Sequence, residues 1–523
     1  MSLEKFLQSL HADTSESRQT DWEIDWEDAP LPYKLYRNLP VVPLSSEVPL
    51  TLIGHESPAH PDLTTIGHFL WHVYGLTQLS QYPVANAINE SERSLQMYRR
   101  FVPSGGGLYP NELYIYLKTK EVPVGVYHYD AAHHRLVFLR KGNFDSYMIQ
   151  ALGNRCDVSA SFGIVFVSVM FWKNFYKYNN FAFRLQGLDT GVLIGQLLEV
   201  TKRFGYESDV YFQFLDRAVN HLLGISDREE SVYAVIPLSM EPTISINNGI
   251  HGEEDISADD LCRELPVIRH EHYVRSQKIK EFPMLTKMNE ASMQNSTGSF
   301  RHVRVEKHVD RGIQAIYMPR VDRLSYDLAS ICQKRYSPES DFVLSKVTLT
   351  KVAALLQEAA SSFSYHNDLK GSLENMSRMF LYCCLYNVEG IPDGAYRYDN
   401  TAHLLRRVLP GDHRIWLQQG MSMDNVNLFQ VPLCLHVVGE KDHLKSLLGY
   451  RGYRIQQMEA GMLVHRLLLA ASAVGMGGRP LLGFNPSISD EIYNLAPQGK
   501  TSLIQIPIGH YRQRPRLEGG LHS

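Results

Sequence analysis

Cysteine is scarce in this chain, and it has neither a long apolar segment nor a large net charge. Its 523 residues include six scattered cysteines, without a CxxC pair or the Cys/His spacing that zinc sites require, so we expect reduced thiols. The most apolar stretch, residues 163–172, is far shorter than a membrane span. The net charge of -4 argues against a nucleic-acid binder that neutralises many phosphates.

The N-terminal segment does not resemble a signal peptide, because it is acidic and lacks a basic region followed by an apolar one. We therefore expect a cytoplasmic protein with no membrane association and no nucleic-acid partner. The composition, 44% hydrophobic and 21% charged, is ordinary for a globular protein. The length suits two domains of roughly 200 to 250 residues, each with its own core.

The usual nucleotide-binding glycine motifs are also missing. Residues 99–112 read RRFVPSGGGLYPNE, and this spacing fits neither the GxGxxG fingerprint nor a phosphate loop ending in GKS or GKT. Three residues without Cβ atoms let a flat ligand lie against the main chain. Ser104 adds a hydroxyl group, and Pro103 stiffens the approach. On spacing alone, a flexible hairpin tip explains the three glycines at least as well.

The chain contains an internal repeat. Residues 120–140 align with 389–409 at an offset of 269, and residues 183–205 align with 453–475 at an offset of 270. The matched pairs are Gly125/Gly394, Tyr127/Tyr396, Tyr129/Tyr398, Asp130/Asp399, His134/His403, Arg184/Arg454, Asp189/Glu459 and Gly191/Gly461. The repeat indicates a tandem duplication.

The duplication predicts a first domain over residues 1–245, a linker over 246–320 and a second domain over 321–523. The linker is polar and charged, and we expect some local helix within it. Each half combines strands with helices, which predicts an α+β fold. The predicted hairpin strands are 125–130 and 135–139, the buried strands are 163–171 and 432–439, and the long helices are 184–203 and 451–474.

The segment from Arg100 to Glu112 resembles the RxxPSGGxLYPxE segment of the SagB-type dehydrogenases. These are flavin enzymes of the nitroreductase superfamily that oxidise thiazolines and oxazolines in ribosomal peptides. The similarity continues through GVYHYD and a Lys-Tyr pair, Lys177 and Tyr178, and covers most of residues 99–205. The second half resembles a degenerate copy. The resemblance implies two fused nitroreductase-like, FMN-dependent domains that form an intrachain pseudo-dimer.

The resemblance also implies that the two halves divide one FMN site between them. In the first half, the ring-holding residues would be Arg100, Pro103, Ser104, Gly105, Gly106 and Gly107. The second half has no PSGGG in its corresponding stretch, 366–376. Three of its segments resemble the parts of nitroreductases that bind the FMN phosphate and approach the flavin edge: QKRYSPE, GMGGRPLLGF and IPIGHYRQR. These segments would contribute Lys334, Arg335, Leu482, Gly483, Arg512 and Arg514. Taken alone, the basic residues fit solvated surface charges as well.

Lys177 and Tyr178 are the predicted catalytic residues. Hydride transfer from a ring carbon requires a base that removes a proton from the neighbouring atom. In a desolvated cleft the lysine ammonium lowers the pKa of the tyrosine, so either residue can be the base. The second half has Leu447 and Leu448 at the equivalent positions and lacks this chemistry. Asn179 replaces the glycine of the family, and asparagine tolerates left-handed backbone angles.

The resemblance implies FMN-dependent dehydrogenation of azolines in a heterocyclised peptide to azoles. Dioxygen would be the electron acceptor and a cyclodehydratase a partner, and whether two chains pair further stays open. Two other functions also stay open: an NAD(P)H-dependent nitro- or quinone reductase, and a non-catalytic scaffold of a peptide-modifying complex. No metal is expected. His134 and His403 repeat at matching hairpin positions, which favours a structural hydrogen bond, and His270 and His272 have no cysteine companion.

Overall fold

The structure is a computed structural model, and it describes most of the chain. The described residues are 1–11, 22–54, 60–83, 94–242, 255–303, 314–361, 365–369, 378–513 and 517–520. All six cysteines are free thiols. Within these residues, every helix is too short or too polar to cross a membrane.

Helices cover both faces of two large sheets. They are α1 Leu3–Ser9, α2 Leu63–Tyr74, α3 Asp145–Ala151, α4 Trp172–Tyr178, α5 Ala182–Arg203, α6 Asp216–Leu223, α7 Ala258–Arg263, α8 Pro283–Ser292, α9 Leu328–Lys334, α10 Leu349–Ser361, α11 Arg414–Gln419, α12 Lys445–Ala473 and α13 Pro486–Ile492. The predicted long helices correspond to α5 and α12 and are confirmed; α12 begins several residues before its predicted start.

The strands of the first half form an antiparallel sheet in the order β1-β6-β5-β4-β7-β9-β8. The first-half strands are β1 Val41–Pro43, β2 Leu76–Pro83, β3 Ser94–Arg100, β4 Asn111–Leu117, β5 Gly125–Asp130, β6 Arg135–Lys141, β7 Gly163–Met170, β8 Glu207–Val210 and β9 Glu230–Ser239. The central strands β4, β7 and β9 are buried along nearly their whole length, because helices pack on both sides. The hairpin β5–β6 and the buried strand β7 confirm the predicted elements.

The second half repeats this order as β10-β15-β14-β13-β16-β18, and both β17, which matches β8 at the repeat offset, and β11 pair with β18. The second-half strands are β10 Ala315–Tyr317, β11 Phe342–Val343, β12 His366–Asn367, β13 Phe380–Leu385, β14 Gly394–Asp399, β15 Leu404–Pro410, β16 Leu433–Glu440, β17 Gly477–Gly478, β18 Lys500–Tyr511 and β19 Leu517–Gly520. Strand β10 lies at the end of the predicted linker, and the domain boundaries remain predictions.

The two halves meet along their long helices α5 and α12. A Cβ atom added at Gly191 would lie 1.9 Å from the Met458 carbonyl oxygen, and one added at Gly461 would lie 2.2 Å from that of Leu188. Any side chain at these matched glycines would therefore separate the helices. The pair places Phe183 and Tyr453 in a stack with ring centroids 6.0 Å apart.

The second half also adds strands to two sheets of the first half. Strand β12 of the second half adds to β8 of the first in parallel, and the C-terminal β19 adds to β2 in the small sheet β19-β2-β3. These pairings bring second-half strands beside first-half strands in two places, so a site can be composed from the two copies.

The hairpin histidines have the structural role that their repeat predicts. His134 and His403 both have positive φ, 47° and 48°. Their Nδ1 atoms are hydrogen-bonded to the hydroxyls of Tyr129 and Tyr398, at 2.9 and 2.8 Å. In the part of the chain that the structure describes, no group of three or more His, Cys, Asp or Glu side chains is arranged to hold a metal ion.

Candidate functional site

The glycine loop, residues 103–107, lies against the end of helix α4. Gly106 is exposed and has a φ of +68°, a conformation that side chains other than glycine rarely adopt. A Cβ atom at this position would lie 2.5 Å from the Tyr178 hydroxyl and 3.0 Å from Lys177 Nζ. The structure therefore brings both predicted catalytic residues to the loop that the resemblance assigns to the flavin ring.

A buried carboxylate, Asp189 of α5, anchors the glycine loop. The Ser104 hydroxyl donates to Asp189 Oδ2 at 2.6 Å, and the Gly105 amide donates to Asp189 Oδ1 at 3.1 Å. Ser104 Oγ in turn accepts from the Tyr109 amide at 2.9 Å. Burial raises the pKa of Asp189 to about 6, although the hydrogen bonds from Ser104 and Gly105 act in the opposite direction. These bonds hold the loop to the helix, and half-buried Pro103 leads into it.

Arg100 is buried in the segment that leads to the loop. Its guanidinium group donates to the carbonyl oxygens of Tyr74 at 2.6 Å and Pro32 at 2.8 Å, and it sits 4.0 Å from the centroid of the Tyr74 ring. The arginine is 1% exposed, and its Nε atom has no hydrogen-bond partner among the described residues. Arg100 thus connects the segment before the loop to Tyr74 and Pro32.

Lys177 and Tyr178 form the last turn of α4, which ends at Asn179 with φ 48° and ψ -138°. Both side chains are half-buried. The Lys177 ammonium lies between two aromatic rings, 5.1 Å from the Trp26 centroid and 5.2 Å from that of Tyr178. An ammonium held between ring faces is stabilised as the cation.

The wall beside Lys177 is built from the N-terminal segment and the linker. Asp28 accepts hydrogen bonds from the amides of Gln277 and Lys278, at 2.6 and 2.9 Å. This contact holds the segment that carries Trp26, which is 54% exposed. Trp26, from outside the repeated fold, therefore places an aromatic ring beside Lys177 at the end of α4.

The predicted phosphate segments of the second half lie together. The rings of Tyr336 and Tyr511 stack with centroids 5.0 Å apart, and Arg479 Nη1 donates to the Ser337 carbonyl at 3.2 Å. Lys334 is exposed, and so is Arg512, whose amide donates to the Asp341 carbonyl at 3.0 Å. Arg514 lies outside the described residues. Leu482 is buried in the core, and the Gly483 carbonyl accepts from the Ser422 amide at 2.9 Å.

Arg335 connects this cluster to the first half. Its carbonyl oxygen accepts a hydrogen bond of 2.5 Å from Arg99 Nη2, next to Arg100 in the loop segment. Burial and the charge of Arg99 lower the pKa of Arg335 to about 10. Two buried or half-buried arginines of like charge favour an anion between the halves.

The side chains present fit FMN. Arg335 is 6% exposed, and its Nε atom has no hydrogen-bond partner among the residues that the structure describes, so a donor remains for a phosphate oxygen. Gly106 is exposed, and the Tyr178 hydroxyl and Lys177 Nζ occupy the side on which its Cβ atom would lie. Arg335 belongs to the second half, and Arg99 and the exposed loop belong to the first.

Three contributing residues were not among the predicted site residues. Asp189 and Glu459 are both acids at matching positions of the repeat, and this match could have indicated a role for Asp189. Arg99 directly precedes Arg100 in the same motif. Nothing in the sequence indicated Trp26, because its contact with Lys177 joins residues about 150 positions apart.

The chain was compared with known proteins. No family model matches it, and no curated protein matches it. Among solved structures, a putative nitroreductase from Anabaena variabilis is 20% identical and superimposes with a TM-score of 0.72, covering 98% of this chain and 99% of that one. The chain has a nitroreductase fold. This confirms the predicted fold class, α+β with two fused nitroreductase-like halves.

Two other solved structures match only part of the chain. A putative nitroreductase from Ralstonia eutropha, 20% identical with a TM-score of 0.31, covers 41% of this chain over its own whole length. The E. coli microcin synthetase McbBCD complex with truncated pro-MccB17 bound, 20% identical with a TM-score of 0.28, covers 34% of this chain and 63% of that one.

Proposed function

We propose that the chain is an FMN-dependent oxidoreductase that dehydrogenates azoline rings of a peptide to azoles. The observation that carries this proposal is the contact between the Gly106 main chain and the Lys177–Tyr178 pair. The pair lies beside the loop proposed to hold the flavin ring, and one of its members is the proposed proton acceptor.

The proposed FMN site is composed from both halves. Arg99 and Arg335 bind the phosphate, assisted by Lys334, Arg512 and Arg514, while the glycine loop and Arg100 support the ring and the Leu482–Gly483 segment its edge. Bound FMN supplies the hydride acceptor, with dioxygen as the proposed final electron acceptor. Asp189 positions the loop through Ser104 and Gly105.

The proposed role of Lys177 and Tyr178 is proton removal. Converting an azoline to an azole removes a hydride from one ring carbon and a proton from its neighbour, and the freed electron pair forms a carbon–carbon double bond. One member of the pair takes the proton, and the other stabilises the resulting charge. Trp26 holds the lysine ammonium against the tyrosine ring. The substrate is a heterocyclised peptide, and a cyclodehydratase that forms the azoline is the proposed partner.

Flavin stoichiometry and substrate choice test the proposal. We expect one FMN per purified chain and oxidation of a peptide thiazoline that depends on Lys177. Two FMN per chain would contradict the composite site, and a chain that takes up no FMN would point to the scaffold function. Rapid NAD(P)H oxidation with a nitroaromatic acceptor, unaffected by Lys177→Ala, would identify a nitro- or quinone reductase instead.

A further inference from the structure

A second buried acid, Glu112, follows the glycine loop and is paired with helix α4. One of its carboxylate oxygens accepts a hydrogen bond from Lys173 Nζ, and the other is hydrogen-bonded to His128 Nε2 at 2.9 Å. Glu112 is 3% exposed and Lys173 is 2% exposed. Burial acts to raise the pKa of Glu112, but the charge of Lys173 and the bond to His128 hold it below its ordinary value, so the pair is ionic.

The second half builds the same strand position without a carboxylate. The register of β4 against β7 and of β13 against β16 places Phe380 where the first sheet has Glu112. His443 matches Lys173 at the repeat offset of 270. Taking two charges out of water is costly, and apolar side chains of similar size often pack equally well. The repeated fold therefore does not require the Glu112–Lys173 pair, which is present in the half that keeps the glycine loop.

Lys173 also holds the residue at which the chain leaves the glycine loop. Its Nζ atom donates to the Tyr109 carbonyl oxygen at 3.2 Å. The Tyr109 amide donates to Ser104 Oγ at 2.9 Å, and the Tyr109 hydroxyl accepts from the Arg100 amide at 3.2 Å. Tyr109 is 4% exposed and has a φ of 49°. The loop is thus attached twice, to α5 through Asp189 and to α4 through Lys173.

We propose that Lys173 is a positioning residue that sets the distance between the glycine loop and the Lys177–Tyr178 end of α4. Lys177 follows Lys173 by about one helical turn, so a shift of Lys173 against Tyr109 also moves the end of the helix against the loop. The Glu112 carboxylate holds the Lys173 ammonium where it reaches Tyr109.

The consequence for turnover rests on the proposed function, in which Lys177 or Tyr178 removes a proton from the substrate. Proton transfer requires the two groups to be within hydrogen-bonding reach, and a misplacement of about 1 Å can lower a rate by about 10²-fold. Lys173 would therefore affect the rate of proton removal without contacting the substrate.

The test variant removes the attachment without leaving one buried charge alone. It combines Glu112→Gln with Lys173→Met, so both charges are replaced together, and the glutamine amide can still bond to His128. Replacing both members of a buried ion pair is often neutral for stability, whereas removing one member is strongly destabilising.

The matched control combines Glu230→Gln with Lys34→Met. Lys34 and Glu230 also form a buried ion pair of the first sheet, at 2.6 Å. Among the described residues, their side chains bond further to Tyr114 and Ser168, not to the glycine loop or α4. The control therefore removes the same chemical groups from the same core without touching the proposed attachment.

Steady-state kinetics of the flavin-loaded full chain with a peptide thiazoline measures the effect on the reaction. In the Glu112→Gln/Lys173→Met variant, kcat should fall by about 10- to 100-fold, while KM changes by less than about twofold. Deuterium at the ring carbon that loses the proton should slow this variant more than it slows the wild type and the control. Unchanged kcat, or a lower kcat with the wild-type isotope effect, which a smaller folded fraction would give, would overturn the proposal.

Hydrogen exchange tests the same attachment without any azoline. In the full chain as purified, the Tyr109 amide and the amides of residues 175–178 should exchange about tenfold faster in the test variant than in the wild type and the control, because a charge-assisted hydrogen bond is lost. Unchanged exchange at these amides, or equally faster exchange throughout β4 and β5, would overturn the proposal. If the wild type oxidises no azoline but the exchange changes only at the loop and α4, the proposed reaction is refuted and the attachment stands.

Discussion

Each half carries a buried acid at the same point of its long helix, but the two acids have different partners. Asp189 accepts from two neutral groups, the Ser104 hydroxyl and the Gly105 amide. Glu459 is ion-paired with Arg378 and accepts from the Tyr365 hydroxyl at 2.8 Å. One acid therefore holds a loop that leads to an exposed glycine, while the other is neutralised inside the protein.

Under the proposed function, the duplicated fold retains one site and closes the other. Leu447 and Leu448 occupy the positions of the second half that match Lys177 and Tyr178. Around the closed site, Asp368 accepts hydrogen bonds from the main-chain amides that match Leu482 and Gly483 at the repeat offset of 270. Matching backbone positions in the two copies thus meet different side chains.

The largest effect is expected from Lys177→Gln and Tyr178→Phe. Removing the proton acceptor should lower azoline turnover by about 10² to 10⁴-fold while FMN remains bound, as measured by steady-state kinetics and flavin absorbance. Lys141→Gln, at an exposed lysine at the end of β6, serves as the control. Wild-type turnover in both variants would show that Lys177 and Tyr178 do not take part in the reaction, and the two matching helix ends would then not differ in chemistry.

Glu459→Gln should destabilise the chain strongly. It leaves the Arg378 guanidinium buried without its counter-charge, which costs about 3 to 5 kcal/mol in the free energy of unfolding. Urea denaturation at neutral pH measures the loss. Glu47→Gln, at an exposed glutamate, is the control. A change below about 1 kcal/mol, the range of exposed ion pairs, would show that the pair does not stabilise the second half.

Asp189→Asn should change the pH dependence of stability. The folded pKa of about 6 exceeds the unfolded value of about 3.9, so between these values the folded chain binds more protons than the unfolded one. The free energy of unfolding due to Asp189 therefore falls as pH rises from about 4 to 6, by up to about 3 kcal/mol. Urea titrations across this range should show that asparagine removes this slope; an unchanged slope would contradict the assignment.

Arg335→Gln should weaken FMN binding by about tenfold or more, through loss of a buried charge-assisted hydrogen bond to the phosphate. Fluorescence quenching of FMN titrated into the apoprotein measures the dissociation constant. Lys334→Gln changes the adjacent but exposed cation and should have a smaller effect. If Lys334→Gln weakened FMN binding more than Arg335→Gln does, the phosphate would bind at the protein surface instead of between the halves.

The local elements could be predicted because their patterns are local. Alternating residues in β5 and β6 and the apolar run of β7 are readable within ten residues, and the repeat identified their second-half counterparts. Asn179 was expected to tolerate an unusual backbone, and it has positive φ. The contact of Gly106 with Tyr178 was not readable from spacing, because about 70 residues separate them; only the family resemblance joined them beforehand.

The sequence by itself determined the duplication, the α+β elements and the half in which the Lys-Tyr pair and the glycine loop remain. Only the tertiary structure decided which groups meet. Arg99 reaches Arg335 and Asp368 caps Phe212 across the boundary between the halves. Such contacts depend on how two helices pack at Gly191 and Gly461, and packing brings together residues whose separation along the chain carries no pattern.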